Sequence, residues 1–337
     1  MKVIEVKNLS KEFHRYKMES GLWSSIRSLF KRKREVVKAI SNINFDIKEG
    51  EIVGLIGANG AGKSTIIKML VGLIPPSNGK IHILNHEPFR KKNDYLRNIA
   101  VVLGQKNQLW WDLTPYETFL LNKEIYNVSD VDFDKKVELL TEKLSVKHIM
   151  KTPVRNLSLG ERMKCELISA LLHSPKVLFL DEPTIGLDLT AQKNIREFLK
   201  EYCGKYRTTL ILTSHYLKDI EELCERIIVL KNGSIYYDGS FDEFGKEGDY
   251  FKYLNLTFDK GIDHKEFEVY GEVVDSKENS ISIKVLSDKA SNIFQQIVTK
   301  YPVVDCNIED MRTEELLTNI FTQQNIENNC MSRVAEK

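Results

Sequence analysis

Long apolar runs are missing from this 337-residue chain. Runs such as Val177-Leu178-Phe179-Leu180 and Ile227-Ile228-Val229-Leu230 have four residues, far short of the ~20 that a membrane-spanning helix needs. An apolar signal region is missing too, because Met1-Lys2-Val3-Ile4-Glu5-Val6 alternates like a strand. Cysteine is sparse: the five residues at 165, 203, 224, 306 and 330 show no paired spacing, which points to free thiols in a reducing compartment. Excess charge of one sign is absent, with 49 Lys+Arg against 48 Asp+Glu. No internal repeat or low-complexity tract is visible. The 42% apolar and 29% charged content excludes disordered, collagen-like and mucin-like classes. These absences predict a soluble, cytoplasmic chain of about two domains.

The neutral total hides a split. Residues 241–337 carry 11 Lys+Arg and 19 Asp+Glu, leaving 38 against 29 in residues 1–240. Residues 1–8 and 43–56 read as strands, the second ending in the buried run Ile52-Val53-Gly54-Leu55-Ile56. Short buried strands are expected at Val177–Leu180, Thr209–Leu212 and Ile227–Leu230, and helices over 64–73, 134–149, 161–173, 191–203 and 216–224. Strands alternating with helices predict a mainly parallel sheet covered on both faces. Asn232-Gly233 and Asp238-Gly239 suit hairpin turns. Beyond residue 240 the pattern changes to strands at 250–258, 267–274 and 280–286 with helices at 289–300 and 313–322. That predicts a small α+β domain over 241–322 and a flexible tail over 323–337.

Gly57-Ala58-Asn59-Gly60-Ala61-Gly62-Lys63-Ser64-Thr65 matches the phosphate-loop pattern between a strand and a helix. Its glycines let backbone amides curl around an anion, and the helix N-terminus adds partial positive charge. Lys63 would reach the β and γ phosphates, and Ser64 would ligate Mg²⁺. The run Val177–Leu180 ends in Asp181-Glu182, at the strand end where such sheets bind ligands. Asp181 is a candidate to hold Mg²⁺, directly or through water, and Glu182 to orient and polarise the attacking water. Taken alone, two acids after a buried strand also suit a solvated turn.

With these motifs in place, the chain resembles the ATP-binding subunit of an ATP-binding-cassette transporter. Leu157-Ser158-Leu159-Gly160-Glu161, 95 residues beyond Lys63, resembles the family signature LSGGQ, departing from it at Leu159 and Glu161. Gln105 resembles the Q-loop glutamine that contacts Mg²⁺ and the transport subunit. Pro183–Asp188 resembles the D-loop, His215 the switch histidine, and Phe13 the aromatic that stacks on adenine, with Tyr16 as the alternative. The resemblance covers residues 1–240. It implies a P-loop α/β cassette with an antiparallel β subdomain and a helical subdomain at about 106–170. It also implies two ATP molecules held between two chains arranged head to tail, where Ser158 and Gly160 of one chain cap the γ-phosphate bound by the other. The site residues so implied are Glu182, His215 and Gln105 for catalysis; Phe13, Gly57, Asn59, Gly60, Gly62, Lys63, Ser64, Thr65, Ser158, Gly160 and Asp188 for nucleotide; and Ser64, Gln105 and Asp181 for Mg²⁺. Repair ATPases of the superfamily carry a long coiled coil before the signature, and translation ATPases carry two cassettes; this chain has neither.

Between the first two strands lies an insertion, 18–36. In it Leu22, Trp23, Ile26, Leu29 and Phe30 recur at helical spacing before Lys31-Arg32-Lys33-Arg34. The pattern over 20–34 suits an anionic membrane surface, and equally an internal packing helix with a solvated basic end. The insertion and the run Gln105-Lys106-Asn107-Gln108-Leu109-Trp110-Trp111-Asp112 resemble type-2 exporters, bacterial ATPases at the cytoplasmic face of the cell membrane. The resemblance implies a membrane-spanning permease as partner, met by Trp110 and Trp111, which otherwise read as core aromatics. Nucleic acid is not expected, since the basic excess is modest and no recognition module is present.

Overall fold

The computed structural model describes residues 1–16, 34–104, 107–214, 216–244 and 251–310, with residues 315 and 317. Of the insertion expected at 18–36, residues 18–33 lie outside the described residues, whereas 34–36 are strand rather than insertion, since their backbone pairs with the first strand. Gln105, His215 and the side chain of Tyr16 also lie outside the described residues. The chain divides into two units, Met1–Phe241 and Asp242–Lys337.

The first unit holds two sheets. Strand β1 (Lys2–Tyr16) pairs antiparallel with β2 (Arg34–Lys48) and with β4 (Asn78–Ile83), in the order β2-β1-β4. Both β1 and β2 are longer than the alternation suggested, and Glu49-Gly50-Glu51 separates β2 from β3 (Ile52–Gly57), dividing the single strand expected at 43–56. The second sheet has the order β5-β6-β7-β3-β8-β9, with β5 Ile99–Leu103, β6 Val177–Asp181, β7 Thr209–Thr213, β8 Arg226–Lys231 and β9 Ser234–Ser240. Its pairings are parallel except β8–β9. Asn232-Gly233 joins those two, both residues left-handed (φ 51° and 75°) as a tight hairpin requires. Asp238-Gly239, by contrast, lies inside β9, with Gly239 opposite Ile227. β6 and β7 read as apolar runs because both faces are covered; Val177, Leu178, Phe179, Leu180, Leu210 and Leu212 are fully buried.

Helices α1 (Lys63–Leu70), α2 (Asn93–Arg97), α3 (Pro115–Tyr126), α4 (Asp130–Lys143), α5 (Leu159–Leu171), α6 (Leu189–Tyr206) and α7 (Leu217–Leu223) complete this unit. α3 begins at a capping box: Glu117 N donates to Thr114 Oγ1 at 3.3 Å, and Thr114 N to Glu117 Oε2 at 2.7 Å. α4 starts earlier and stops earlier than the expected 134–149, which ends in a separate 3₁₀ turn, Lys147–Ile149.

The second unit is an antiparallel sheet, β11-β12-β10-β13, built from β10 (Phe251–Phe258), β11 (Glu272–Lys277), β12 (Ser280–Leu286) and β13 (Val303–Asp310), with helix α8 (Ser287–Lys300). Leu254, Leu256 and Phe258 alternate on one face and pack with Ile281, Ile283, Val285, Ala290 and Ile297. The strand expected at 267–274 is instead a 3₁₀ turn (His264–Phe267) followed by β11. Of the helix expected at 313–322, only residues 315 and 317 are described, and both are helical.

One group in the first unit sits at odds with its surroundings. Glu166 on α5 is 2% exposed. Its carboxylate accepts from Gln108 N at 3.5 Å and faces Arg162 Nε at 3.7 Å. Burial pushes its pKa from 4.5 up to about 7, against the opposing pull of the Gln108 amide and Arg162. A carboxyl raised on folding costs stability as pH climbs from its unfolded value through its folded one. Glu166→Gln should therefore gain unfolding temperature relative to wild type between pH 5 and pH 8. The gain corresponds to a differential on the order of 3 kcal/mol, and thermal unfolding followed across that pH range checks it.

Candidate active site

β3 delivers the chain to the loop, and α1 takes it away. Gly62, the N-cap of α1, has φ 109°. A Cβ there would fall 2.4 Å from Ile40 Cδ1 and 2.9 Å from Ala39 O, so only glycine lets the loop close against β2. The open cavity at the loop, about 170 Å³, is lined by Asn59, Gly60, Gly62, Lys63, Ser64 and Thr65 together with Ala39, Ala58 and Glu182. Gly57 does not line it, but its carbonyl accepts from Lys63 Nζ at 2.6 Å; Ala58 O accepts from the same amine at 3.2 Å. Lys63 is buried, which lowers its pKa, while Glu182 and then Asp181 oppose that shift and favour the charged form.

The two carboxylates come from the end of β6, two strands from β3 with β7 between; Glu182 lines the cavity, and Asp181 borders it through Ser64. Parallel pairing sets Asp181 opposite Thr213. Thr213 Oγ1 donates to Asp181 Oδ1 at 2.6 Å, and Ser64 Oγ reaches the same oxygen at 3.4 Å. At Glu182 the backbone turns left-handed (φ 58°). Its N–H donates to Thr213 O at 3.0 Å and to Thr213 Oγ1 at 3.1 Å. Such a conformation is strained for a residue with a side chain, and these bonds hold it. β5 ends against the same turn, where Gly104 N donates to Asp181 O at 2.8 Å. A Cβ on Gly104 would lie 2.2 Å from Glu182 O, so the chain can approach this closely only as glycine.

The remaining candidates stand apart from this cavity. Phe13 on β1 is 41% exposed, with Lys11 Nζ 5.2 Å from its ring centre. Ser158 is the N-cap of α5: its hydroxyl donates to Glu161 Oε2 at 2.7 Å, and its N–H donates to the same oxygen at 2.9 Å. These bonds hold the Glu161 carboxyl below its ordinary pKa. Gly160 lies beside Ala191, and Leu159 packs near Gly186, so the signature abuts the D-loop. Asp188 caps α6, accepting from Ala191 N at 2.8 Å. Neither Ser158 nor Gly160 lines the loop cavity of its own chain. Thr213 and Gly104 escaped the sequence reading. The first is the polar last residue of an apolar strand, and the second needs its tertiary neighbour to be seen as constrained.

Comparison with known proteins gives the setting. Residues 40–185 match the family model for ABC transporters, and residues 251–309 match that for the C-terminal domain of EvrA-like ABC transporters. The ABC transporter ATP-binding protein NatA of Bacillus subtilis is 30% identical over 213 residues, 63% of this chain and 86% of that one. The bacitracin transport ATP-binding protein BcrA of Bacillus licheniformis is 33% identical over 219 residues, 65% of this chain and 70% of its own length. Among solved structures, an ATP-binding subunit of an ABC transporter superposes with TM-score 0.60 at 26% identity, covering 73% of this chain and 92% of that one. A dimeric cassette in a post-hydrolysis state, bound to ADP and Pi, gives 0.58 at 25% identity over 70% and 98%. The P-loop, its carboxylate pair and these likenesses agree: the chain belongs to the ATP-binding, ATP-hydrolysing subunits of ABC transporters.

Proposed function

We propose that this ATPase works as a head-to-tail pair around two ATP molecules and drives a separate membrane-spanning permease in the direction of export. The observation that carries the reading is the meeting of Lys63, Ser64, Asp181 and Glu182 at the mouth of one loop. On nucleotide binding, Lys63 would exchange the carbonyls of Gly57 and Ala58 for phosphate oxygens, while the loop amides and the α1 N-terminus hold the rest of the charge. Glu182, turned toward the cavity by its left-handed backbone, would hold the attacking water in line and polarise it. The donor set suits Mg²⁺. Ser64 Oγ and Asp181 Oδ1 are hard oxygens 3.4 Å apart, and no cluster of three or more His, Cys, Asp or Glu among the described residues offers a metal cage. Mg²⁺ held with few protein ligands and completed by phosphates neutralises charge developing on the transferred group. Gln105 and His215 take their roles, metal contact and γ-phosphate sensing, from the family motifs they match. Phe13 is exposed where an adenine ring could lie against it.

The pairing follows from the position of the signature. Ser158 is exposed and remote from its own chain's cavity, so a second copy is needed to bring Ser158 and Gly160 to a γ-phosphate. The neighbouring post-hydrolysis dimer supports that arrangement. Trp110 and Trp111 are 64% and 49% exposed and offer a surface for the permease. The second unit is an accessory domain to the cassette. Transport is supported by similarity to NatA and BcrA, and export by the type-2 pattern of the insertion. Residues 20–34, with Lys31-Arg32-Lys33-Arg34 at their end, would lie against the anionic cytoplasmic leaflet. Among the described residues no helix is long and apolar enough to cross a membrane.

Glu182→Gln should keep ATP affinity, lose at least about 100-fold in turnover, and accumulate as an ATP-bound dimer on size-exclusion chromatography. Turnover near wild type would remove Glu182 from its role. Neutralising residues 31–34 should abolish flotation with liposomes containing anionic lipid while leaving ATPase activity intact. Equal flotation of both proteins, or none by either, would count against the membrane contact.

A further inference from the structure

Asp219 lies in the first unit, on α7, and is 0% exposed. Both of its carboxylate oxygens are engaged. Oδ1 accepts from Arg196 NH1 at 2.9 Å. Oδ2 accepts from two hydroxyls, Ser214 Oγ at 2.6 Å and Thr184 Oγ1 in a short bond. Ser214 Oγ in turn accepts from Tyr216 N at 3.0 Å. Arg196, itself buried on α6, also donates through Nε to Glu222 Oε2 at 2.5 Å. The Thr184 end is braced from the same helix, since Gln192 Nε2 donates to Leu187 O at 3.1 Å and lies 3.5 Å from Thr184 O.

These partners are not scattered. Thr184 stands two residues beyond Glu182 in the segment leaving β6, and Ser214 is the residue immediately beyond β7. β6 and β7 are adjacent and parallel, so the two segments leave the sheet side by side and one carboxylate bridges them. A buried carboxylate that loses its donors incurs a large desolvation penalty, which makes this bridge stiff. The strained turn at Glu182 is thus held from two directions, by Thr213 on one side and through Thr184 and Asp219 on the other.

We propose that Asp219 is a positioning residue for ATP hydrolysis: it clamps the segment carrying Glu182 to the end of β7 and fixes where the Glu182 carboxylate points. Asp219 touches none of the reacting atoms, so its loss affects turnover rather than nucleotide affinity. The proposal rests on the role given above to Glu182.

Thr184→Val and Ser214→Ala each remove one arm and leave the Asp219–Arg196 pair in place. In the full-length chain each should lower kcat about 10- to 100-fold, the size of loss that follows from a small misplacement of a catalytic group. The Kd for ATP should stay within about two-fold of wild type, and although the unfolding temperature should drop by a few degrees, the chain should remain fully folded at the assay temperature. Thr184→Ser, which keeps the hydroxyl, should recover most of the rate lost in Thr184→Val. The proposal is overturned if either arm variant keeps kcat within about two-fold of wild type, or if Thr184→Ser falls as far as Thr184→Val. It is likewise overturned if the loss of rate is matched by weaker ATP binding or by a smaller folded fraction. Glu182→Gln assayed in parallel separates the two levels. If that variant turns over normally, the reading of Glu182 fails. If it is inactive while the arm variants are not, only the clamp fails.

Discussion

Everything at the site depends on the parallel register of β6 against β7. That register sets Asp181 opposite Thr213, and from this one pairing the rest follows. Thr213 ties down the Asp181 carboxylate with its hydroxyl, and the Glu182 amide with both hydroxyl and carbonyl. β3 pairs on the far side of β7, with Leu55 also opposite Thr213, which brings the phosphate loop within reach of the same carboxylate. A slip of one residue would turn every side chain to the other face and separate Ser64 from Asp181. The covered, apolar strands of this sheet make such a slip costly, because Phe179, Leu180 and Leu212, all fully buried, would each have to repack against the opposite covered face.

Charge is arranged on this frame with little freedom left to it. Lys63 is buried, with carboxylates close enough to favour its cation and carbonyls close enough to hold it. Those carbonyls hold the ammonium at the loop, where phosphate oxygens could replace them. An ammonium already held in place by the loop is a preorganised charge, the condition under which electrostatic stabilisation is most effective. Gly62 and Gly104 serve the same end by different means. One allows the loop to close on β2, and the other lets β5 press on the turn at Glu182.

The linear motifs made much of this legible. The nine residues 57–65 and the pair Asp181-Glu182 carry their chemistry in their order, and the alternation of strands and helices gave the parallel sheet. Thr213, Gly104 and Asp219 were not legible, because each acts through a partner distant in sequence: 32 residues from Thr213 to Asp181, and 35 from Thr184 to Asp219. α3 was overlooked because its apolar residues Leu120, Leu121 and Ile125 are exposed and give no core stripe. Its capping box, Thr114-Pro115-Tyr116-Glu117, was nonetheless a usable start signal. β13 was overlooked for the opposite reason: an edge strand with a mostly polar, exposed sequence shows little hydrophobic period. The strand expected at 267–274 was misled by Phe267 and Val269, of which the first is fully buried and the second 81% exposed in a turn.

The departure of the signature from its commonest form bears on how two such chains would meet. Where the family's usual glutamine stands, Glu161 closes a capping box on Ser158, taking both its hydroxyl and its amide proton. In the proposed pair that hydroxyl must turn to a phosphate of the opposite chain, leaving Glu161 with the amide alone and a negative charge next to another. Burying like charges together is unfavourable, so the same capping box that builds the end of α5 also opposes closure. Closure would then need a strong counterweight, namely Lys63, the loop amides and the metal on the facing chain. The bond from the Ser158 hydroxyl to the terminal phosphate would belong to the same counterweight, and it would be lost when that group departs, which would loosen the interface. That is the behaviour required of a subunit whose opening and closing must drive a permease.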